Sequence, residues 1–416
     1  MRVLLSAYAC EPGLGSEPGK GWLFAEALTR QGCDVVVLTC GSHHRAAIEA
    51  HLADQPPNPR MTFVWHDVPG WPGPGYVDAH HIRQHYMAWQ LTARNCVRKL
   101  LKSQKIDVIH HLTWTVLRWP SFLGGLGPRF IFGPVGGGET TPAALRVSLS
   151  AAAQRRERLR DLLNAVSRFD PMVRSCLDRA DVILVTDPAT RDLVPSRHQK
   201  RTFVIADILA PEPQTSVSDL PVRRGHPALL FAGRLEGWKG AHLAIMALAR
   251  LRMRMPEAQL TIAGTGPEAV ALRQLTVRLG LHDDAVRFAG LVPRTAMAQL
   301  YAQHDLFLFP SLHDSGPHVI GEALAAGLPV VCLDLGGPGV AIDASCGAAV
   351  ASHQADPVQL SSEIADAIVD IVRNPARLIE LRRAARAKAQ SFTPDRRAQD
   401  MITRFYTATA DAPRHV

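Results

Sequence analysis

No apolar run in this chain approaches the ~20 consecutive residues that a helix needs to cross a bilayer. The stretch closest to an export signal, "MRVLLSAYAC", flows directly into a glycine–proline loop and reads as a first buried strand. The chain is therefore expected in the cytoplasm, with the inner face of the plasma membrane as the one peripheral option. Aromatic residues are scarce, at 6%, and the arginines fall mostly on predicted helices. A nucleic-acid surface needs basic clusters interleaved with aromatics, so nucleic acid is not an expected partner. There is no C-x-x-C pair among Cys10, Cys33, Cys40, Cys96, Cys176, Cys332 and Cys346, and their number is odd. Free thiols in a reducing compartment follow. The histidine pairs in "SHH" (42–44), "AHH" (79–81) and "IHH" (109–111) lack helical spacing to carboxylates, so no metal site is expected.

What is present is a globular balance, 47% hydrophobic and 20% charged over 416 residues, enough for two or three domains. The formal charge of +8 favours anionic ligands such as nucleotides or phospholipid headgroups. Short apolar runs alternate with amphipathic stretches, the pattern of parallel α/β units. In the first half the expected strands are "RVLLSAY", "DVVVLTC", "TFVWHDV", "DVIHHL", "RFIFGPV", "DVILVT" and "RTFVIA". The stretch "APEPQTSVSDLPVRRGHP" then breaks the rhythm with proline, serine and charge, as a linker does. Alternation resumes with "ALLFAGRL", "AQLTIAGTG", "AVRFAG", "LFLFPS" and "LPVVCLDL", and a helical tail runs from "DPVQL" to "RFY". The expected organisation is two doubly wound, Rossmann-like α/β domains, 1–208 and 227–390. A linker spans 209–226, and a C-terminal helix in 391–416 returns to the first domain.

The loop "ACEPGLGSEPGKG" follows the first strand. Gly13 and Gly15 lead a near-match to the dinucleotide pattern G-x-G-x-x-G, but Pro18 stands where the third glycine belongs. The second strand also ends in Thr39 and Cys40, with no carboxylate for a ribose 2′-hydroxyl. A nicotinamide or flavin oxidoreductase is thus the weaker alternative, and a long glycine loop beside a bulky phosphorylated ligand fits better. In the second half, "FAGRLEGWKGAHLAI" puts Arg234 just past a strand and Lys239 at a helix entrance. Fixed cations there can stabilise a departing diphosphate. "FLFPSLHDSGPHVIGEALAAGLPVV" runs strand, loop, helix, strand. Its Ser315 and Gly316 stand before a helix N-terminus that can meet phosphate, and Glu322 follows inside the helix.

"GRLEGWKG" and "DSGPHVIGEALAAGLPVV" together resemble the retaining glycosyltransferase family 4 (group 1), of GT-B fold. The resemblance implies two Rossmann-like domains facing across a cleft and a hexosyltransferase that needs neither metal nor cofactor. The donor would be a UDP- or GDP-linked sugar, and the acceptor a glycan or lipid-linked glycan in cell-surface polysaccharide or glycolipid assembly. It further implies that Arg234 and Lys239 neutralise the diphosphate, that Glu322 holds the ribose, and that Asp314 faces the sugar. Ser315 and Gly316 would touch phosphate or sugar through their N–H groups, and the loops near Gly264 and Leu291 would border the base. Asp314 stands where the family usually has Glu. "DVIHHLTW" resembles the strand whose final histidine contacts the donor sugar; His111 is preferred, with His110 as the alternative. Glu139 in "GPVGGGETTP" is a candidate for the acceptor side or the sugar. A catalytically inactive sugar-nucleotide-binding protein is the second alternative. Finally, 146–169 mixes arginines with an apolar face, as either a membrane-surface helix or an amphipathic helix lining a cleft would.

Overall fold

The structure, a computed structural model, describes residues 1–71, 81–114, 116–212, 226–352 and 355–407. They form two compact units. One comprises residues 1–138, 164–205 and the chain from Pro394 onward; the other comprises 139–163 and 206–393.

The first unit begins β1 (Arg2–Ser6), α1 (Ser16–Arg30), β2 (Asp34–Cys40), α2 (Gly41–Ala53), β3 (Met61–His66), α3 (Ile82–Ser103), β4 (Val108–His111) and β5 (Arg129–Val135). Next comes α4 (Ala151–Ser167), which straddles the division. The unit continues with α5 (Pro171–Arg179), β6 (Val182–Val185), α6 (Pro188–Leu193) and β7 (Thr202–Val204). Its sheet is parallel throughout, in the order β3-β2-β1-β4-β5-β6-β7. Successive strand residues point to opposite faces. Val3 and Leu5 accordingly pack with Trp22, Phe24 and Leu28 on one side. Leu4 packs with Trp89, Phe130 and Phe132 on the other. Burial on both faces is why these strands read as continuous apolar runs.

The second unit contains β8 (Ala228–Ala232), α7 (Ala241–Arg252), β9 (Gln259–Ala263), α8 (Ala269–Arg278), β10 (Val286–Gly290), α9 (Arg294–Ala302) and β11 (Leu306–Phe309). It goes on through α10 (His318–Ala325), β12 (Val330–Leu333), α11 (Gly336–Ala341), β13 (Gly347–Val350), α12 (Pro357–Val372) and α13 (Pro375–Gln390). Its sheet order is β10-β9-β8-β11-β12-β13. Both units are Rossmann-like, as expected. Each has a switch point where strand order reverses, at β1/β4 and at β8/β11, and ligands bind such sheets beyond the carboxyl ends there.

Every strand expected from the apolar runs is present. Among the described residues, the one strand not anticipated is β13, "GAAV", whose small residues carry little apolar signal. A Cβ at Gly347 would lie 1.9 Å from the Val330 carbonyl oxygen, so close strand approach selects the glycine. The helical tail is interrupted where Pro375 and Pro394 begin new helices, with Asn374 capping α13. Helix α14 (Pro394–Met401), continued by a π-helical turn over Ile402–Tyr406, belongs to the first unit, where Arg30 donates to Asp395 at 2.8 Å. Residues 139–163, which the sequence reading includes in 1–208, group with the second unit because Leu145 and Leu149 are buried in its core. Most of the expected linker, 213–225, and the tail beyond 407 lie outside the described residues.

Candidate active site

At the switch point of the second unit, the loop after β8 meets the loop after β11. Gly240 makes this approach possible: its φ is +76°, and a Cβ would stand 1.9 Å from the Pro310 carbonyl oxygen. The Trp238 carbonyl accepts from Leu312 N at 2.8 Å and from Ser311 Oγ at 3.1 Å, binding the two loops together. Lys239 then forms an ion pair with Asp314, both side chains largely buried. Its Nζ also lies 4.2 Å from the Trp238 ring centroid and 5.4 Å from that of Phe309. The Trp238 ring stacks on His313, whose Nε2 is 2.9 Å from Glu157 Oε1. Burial lowers the His313 pKa, against the opposing pull of the Glu157 carboxylate. Arg234 is exposed and paired with Glu236 at 2.6 Å.

The loop from Asp314 to Gly316 rests on two glycines of α11. Gly337 N donates to the Asp314 carbonyl at 2.7 Å. Side chains at Gly336 or Gly337 would come within 2.4 Å of Asp314 O or 2.2 Å of Ser315 O. Gly316 is equally confined, a Cβ there falling 2.3 Å from Asp207 O. The entry to α10 is thereby set, with backbone N–H groups near Ser315 and Gly316 at its N-terminal end.

Glu322 lies in the second turn of α10 and accepts from Tyr301 Oη at 3.0 Å. Burial raises its pKa, against the opposing effects of Tyr301 and Arg294. It opens into a cavity of about 390 Å³ lined also by Arg294, Met297, Tyr301 and Glu212. Gly264 (φ +144°) closes the turn after β9 with its would-be Cβ 1.9 Å from Gly233 O, and its N–H donates to Gly290 O at 2.7 Å. Leu291, next along, is 80% exposed.

In the first unit the glycine-rich loop closes on itself, Glu11 N donating to Pro18 O at 3.0 Å. Gly13 has φ +74°, whereas Gly15 simply precedes α1 in extended conformation. The sterically required glycines are Gly19 and Gly21, where a Cβ would stand 2.0 Å from Leu14 O and 2.4 Å from Ala9 O. Glu17 accepts from Trp114 N at 3.0 Å and lies 3.4 Å from the buried Lys20 ammonium. At the end of β4, His110 is fully buried, with Nδ1 2.6 Å from Tyr406 Oη and Nε2 2.7 Å from Gly133 O. His111 is bonded through Nε2 to Tyr86 Oη at 3.3 Å, while its Nδ1 has no hydrogen-bond partner among the described residues. Burial, with His110 and Lys20 nearby, pushes its pKa down to about 3. Glu139, buried, pairs with Arg160 at 2.8 Å inside the second unit.

The fold thus brings Lys239 and Asp314 into contact, puts Arg234 on the same loop as Lys239, and gives Glu322 a cavity. Trp238, His313, Glu157 and Tyr301, which hold these groups, carried no signal in the sequence reading; nor did Glu17 and Lys20. Two of them are direct neighbours of candidate residues in the sequence, Trp238 before Lys239 and His313 before Asp314.

Residues 226–374 match the family Glycosyl transferases group 1. This segment belongs to the group 1 glycosyltransferases. It includes Arg234, Lys239, Asp314 and Glu322. Among curated proteins, the chain is 33% identical over 216 residues to a D-inositol 3-phosphate glycosyltransferase of Kribbella flavida, covering 49% of each. It is 35% identical over 179 residues to a glycogen synthase of Mycobacterium tuberculosis, covering 42% of this chain and 40% of that protein. The chain spans about half the length, or less, of these relatives. Among solved structures, a sucrose-phosphate synthase from Thermosynechococcus elongatus has a TM-score of 0.65 at 20% identity, covering 97% of both chains. Anabaena Alr3699/HepE, solved with UDP and glucose, has a TM-score of 0.57 at 17% identity, covering 97% and 99%. These likenesses show that the glycosyltransferase segment is part of a two-domain fold of the GT-B type.

Proposed function

We propose that the protein transfers a hexose from a nucleotide sugar to an acceptor hydroxyl, with retention of anomeric configuration and without a metal or other cofactor. The observation that carries this reading is the Lys239–Asp314 pair at the β8/β11 switch point, on the loop that also bears Arg234, inside the group 1 segment. Arg234 and Lys239 neutralise the leaving diphosphate, aided by N–H groups at Ser315 and Gly316. Glu322, in its cavity with Tyr301 and Arg294, accepts from the ribose hydroxyls, while the turns at Gly264 and Leu291 border the base. Asp314 orients the sugar. Its engagement with Lys239 suits that role better than nucleophilic attack. The acceptor oxygen bonds to the anomeric carbon as the sugar–phosphate bond breaks, and the departing diphosphate oxygen takes the acceptor proton. Within the first unit, His111 rather than His110 is assigned to the sugar, since both ring nitrogens of His110 serve the core. The glycine-rich loop with Gly13 and Gly15 is assigned to the donor side.

UDP-, GDP- and ADP-glucose should be compared for their effect on the melting temperature, since a ligand of the native state raises it. One donor is expected to stabilise the protein and be consumed, and Lys239→Ala to abolish both effects. Binding without turnover would favour the inactive sugar-nucleotide-binding alternative; unchanged turnover in Lys239→Ala would overturn the site.

A lipid-linked acceptor is the finer reading, supported by α4. Leu159, Leu162, Leu163 and Val166 are all exposed at helical spacing, with Phe169 and Met172 following. Arg155, Arg156 and Arg158 share the helix. Such a face suits anionic membrane. Vesicles containing anionic lipid should pellet the protein, and Leu159→Glu/Leu163→Glu should not pellet; no pelleting of the parent rejects the idea.

A further inference from the structure

At the carboxyl end of β2, three metal-ligating side chains converge from separate stretches of the first unit. Cys40 ends β2, His43 lies in the first turn of α2, and His85 in the first turn of α3. One ligand atom from each lies within 4.8 Å of the other two. The His43 and His85 rings are 5.2 Å apart between centroids and inclined at 51°. Cys40 and His85 are buried, whereas His43 is partly exposed, which leaves a way in from solvent.

The surroundings are those of a supported ligand set. Tyr8 Oη is 2.7 Å from His85 Nδ1 and fixes the rotation of that ring. Asp67 Oδ1 accepts from Cys40 Sγ at 3.6 Å and from Ser42 N at 2.7 Å, anchoring the turn that presents the sulfur. The His43 backbone N–H and the Ser42 hydroxyl face the same sulfur, and both favour its thiolate form.

We propose that Cys40, His43 and His85 form a binding site for a divalent transition metal, zinc first among them, with a fourth position for water. One thiolate and two imidazoles are a donor set that zinc accepts in tetrahedral geometry. Bonds of about 2.3 Å to sulfur and 2.0–2.1 Å to nitrogen put such ligands roughly 3.3–3.6 Å apart. The present separations, none above 4.8 Å, need shorten by no more than about 1.5 Å to reach those values. As the metal–sulfur bond forms, the sulfur keeps its electron pair and the thiol proton leaves to Asp67 or water. The bound ion would tie the β2–α2 turn to the start of α3. This proposal is independent of glycosyl transfer.

The test uses the full-length protein stripped of metal with a chelator and titrated with Co²⁺. Expected are one cobalt per chain, a thiolate-to-cobalt charge-transfer band in the near ultraviolet, and its loss on adding Zn²⁺. Cys40→Ser should abolish the band and Cys96→Ser should keep it. Should Cys40→Ser fail to fold, the partly exposed His43→Ala serves instead, with unchanged circular dichroism and affinity down about ten-fold or more. No stoichiometric cobalt binding, or a band that survives in His43→Ala at parental affinity, overturns the proposal.

Discussion

The rings of Trp238 and His313 lie 4.8 Å apart between centroids and within 11° of parallel, and the Lys239 ammonium sits over the same indole. Lysine is a flexible side chain with ~2 kcal/mol of rotamer entropy to lose. Here an aromatic surface, itself held through His313 to Glu157, limits that freedom. Trp238→Leu is expected to weaken binding of a nucleoside diphosphate by roughly 2- to 30-fold, the range of a cation–π contact of ~0.5–2 kcal/mol. Isothermal titration calorimetry reads this directly. Parental affinity in that variant would mean that the indole does not hold Lys239.

The Lys239–Asp314 pair is nearly buried, so removing one partner should cost more than removing both. Lys239→Met leaves a carboxylate with little access to water, at a cost of ~1–3 kcal/mol. The double variant Lys239→Met/Asp314→Asn should regain part of that loss in denaturant unfolding. Strict additivity of the two single changes would show the pair to be uncoupled.

Glu322 provides a pH signature. Its carboxyl pKa is raised by burial, so the folded state holds the proton to higher pH than the unfolded state does. Stability from this group therefore falls as pH rises from the unfolded value through the folded one, and the penalty is complete above it. Glu322→Gln should melt higher than the parent at pH 8, by the order of a few degrees, with the gap closing toward pH 4. A gap that widens on acidification would contradict the assigned direction.

Two glycines separate local from tertiary constraint. Gly13 has open space around it, so Gly13→Ala meets only the backbone strain of its positive φ, ~1 kcal/mol. Gly337→Ala places a Cβ 2.2 Å from the Ser315 carbonyl oxygen and must displace the loop carrying Asp314. Donor affinity is expected to fall at least ten-fold (~1.4 kcal/mol) in Gly337→Ala, with circular dichroism preserved. The reverse order of severity would count against the loop as the donor's seat.

The adjacent histidines should divide by phenotype. His110→Ala removes the partner of Tyr406 Oη and Gly133 O from a fully buried position, costing ~1–3 kcal/mol of stability. His111→Ala removes the partner of Tyr86 Oη from an equally buried position, so it too should lower the melting temperature, but it alone should also abolish transfer by the protein that stays folded. Activity and thermal unfolding measured on both variants decide between them.

The alternation of apolar runs with amphipathic stretches was enough to place twelve strands and the class of both units, because strands buried on both faces leave an uninterrupted signal. It did not extend to β13, whose Gly347 is chosen by the neighbouring strand's carbonyl. Nor did it reveal that residues 139–163 join the second unit, since the burial of Leu145 and Leu149 depends on which core receives them.

The sequence by itself determined the parallel α/β architecture and the positions of Arg234, Lys239, Asp314 and Glu322 on strand-end loops and a helix, because periodicity and short-range spacing are local properties. Only the tertiary structure decided that Lys239 meets Asp314, that Tyr301 holds Glu322, that His110 is committed to the core, and that Cys40, His43 and His85 gather at one strand end. Those contacts join residues far apart in the chain, and parallel strand order, rather than sequence distance, sets which loops become neighbours.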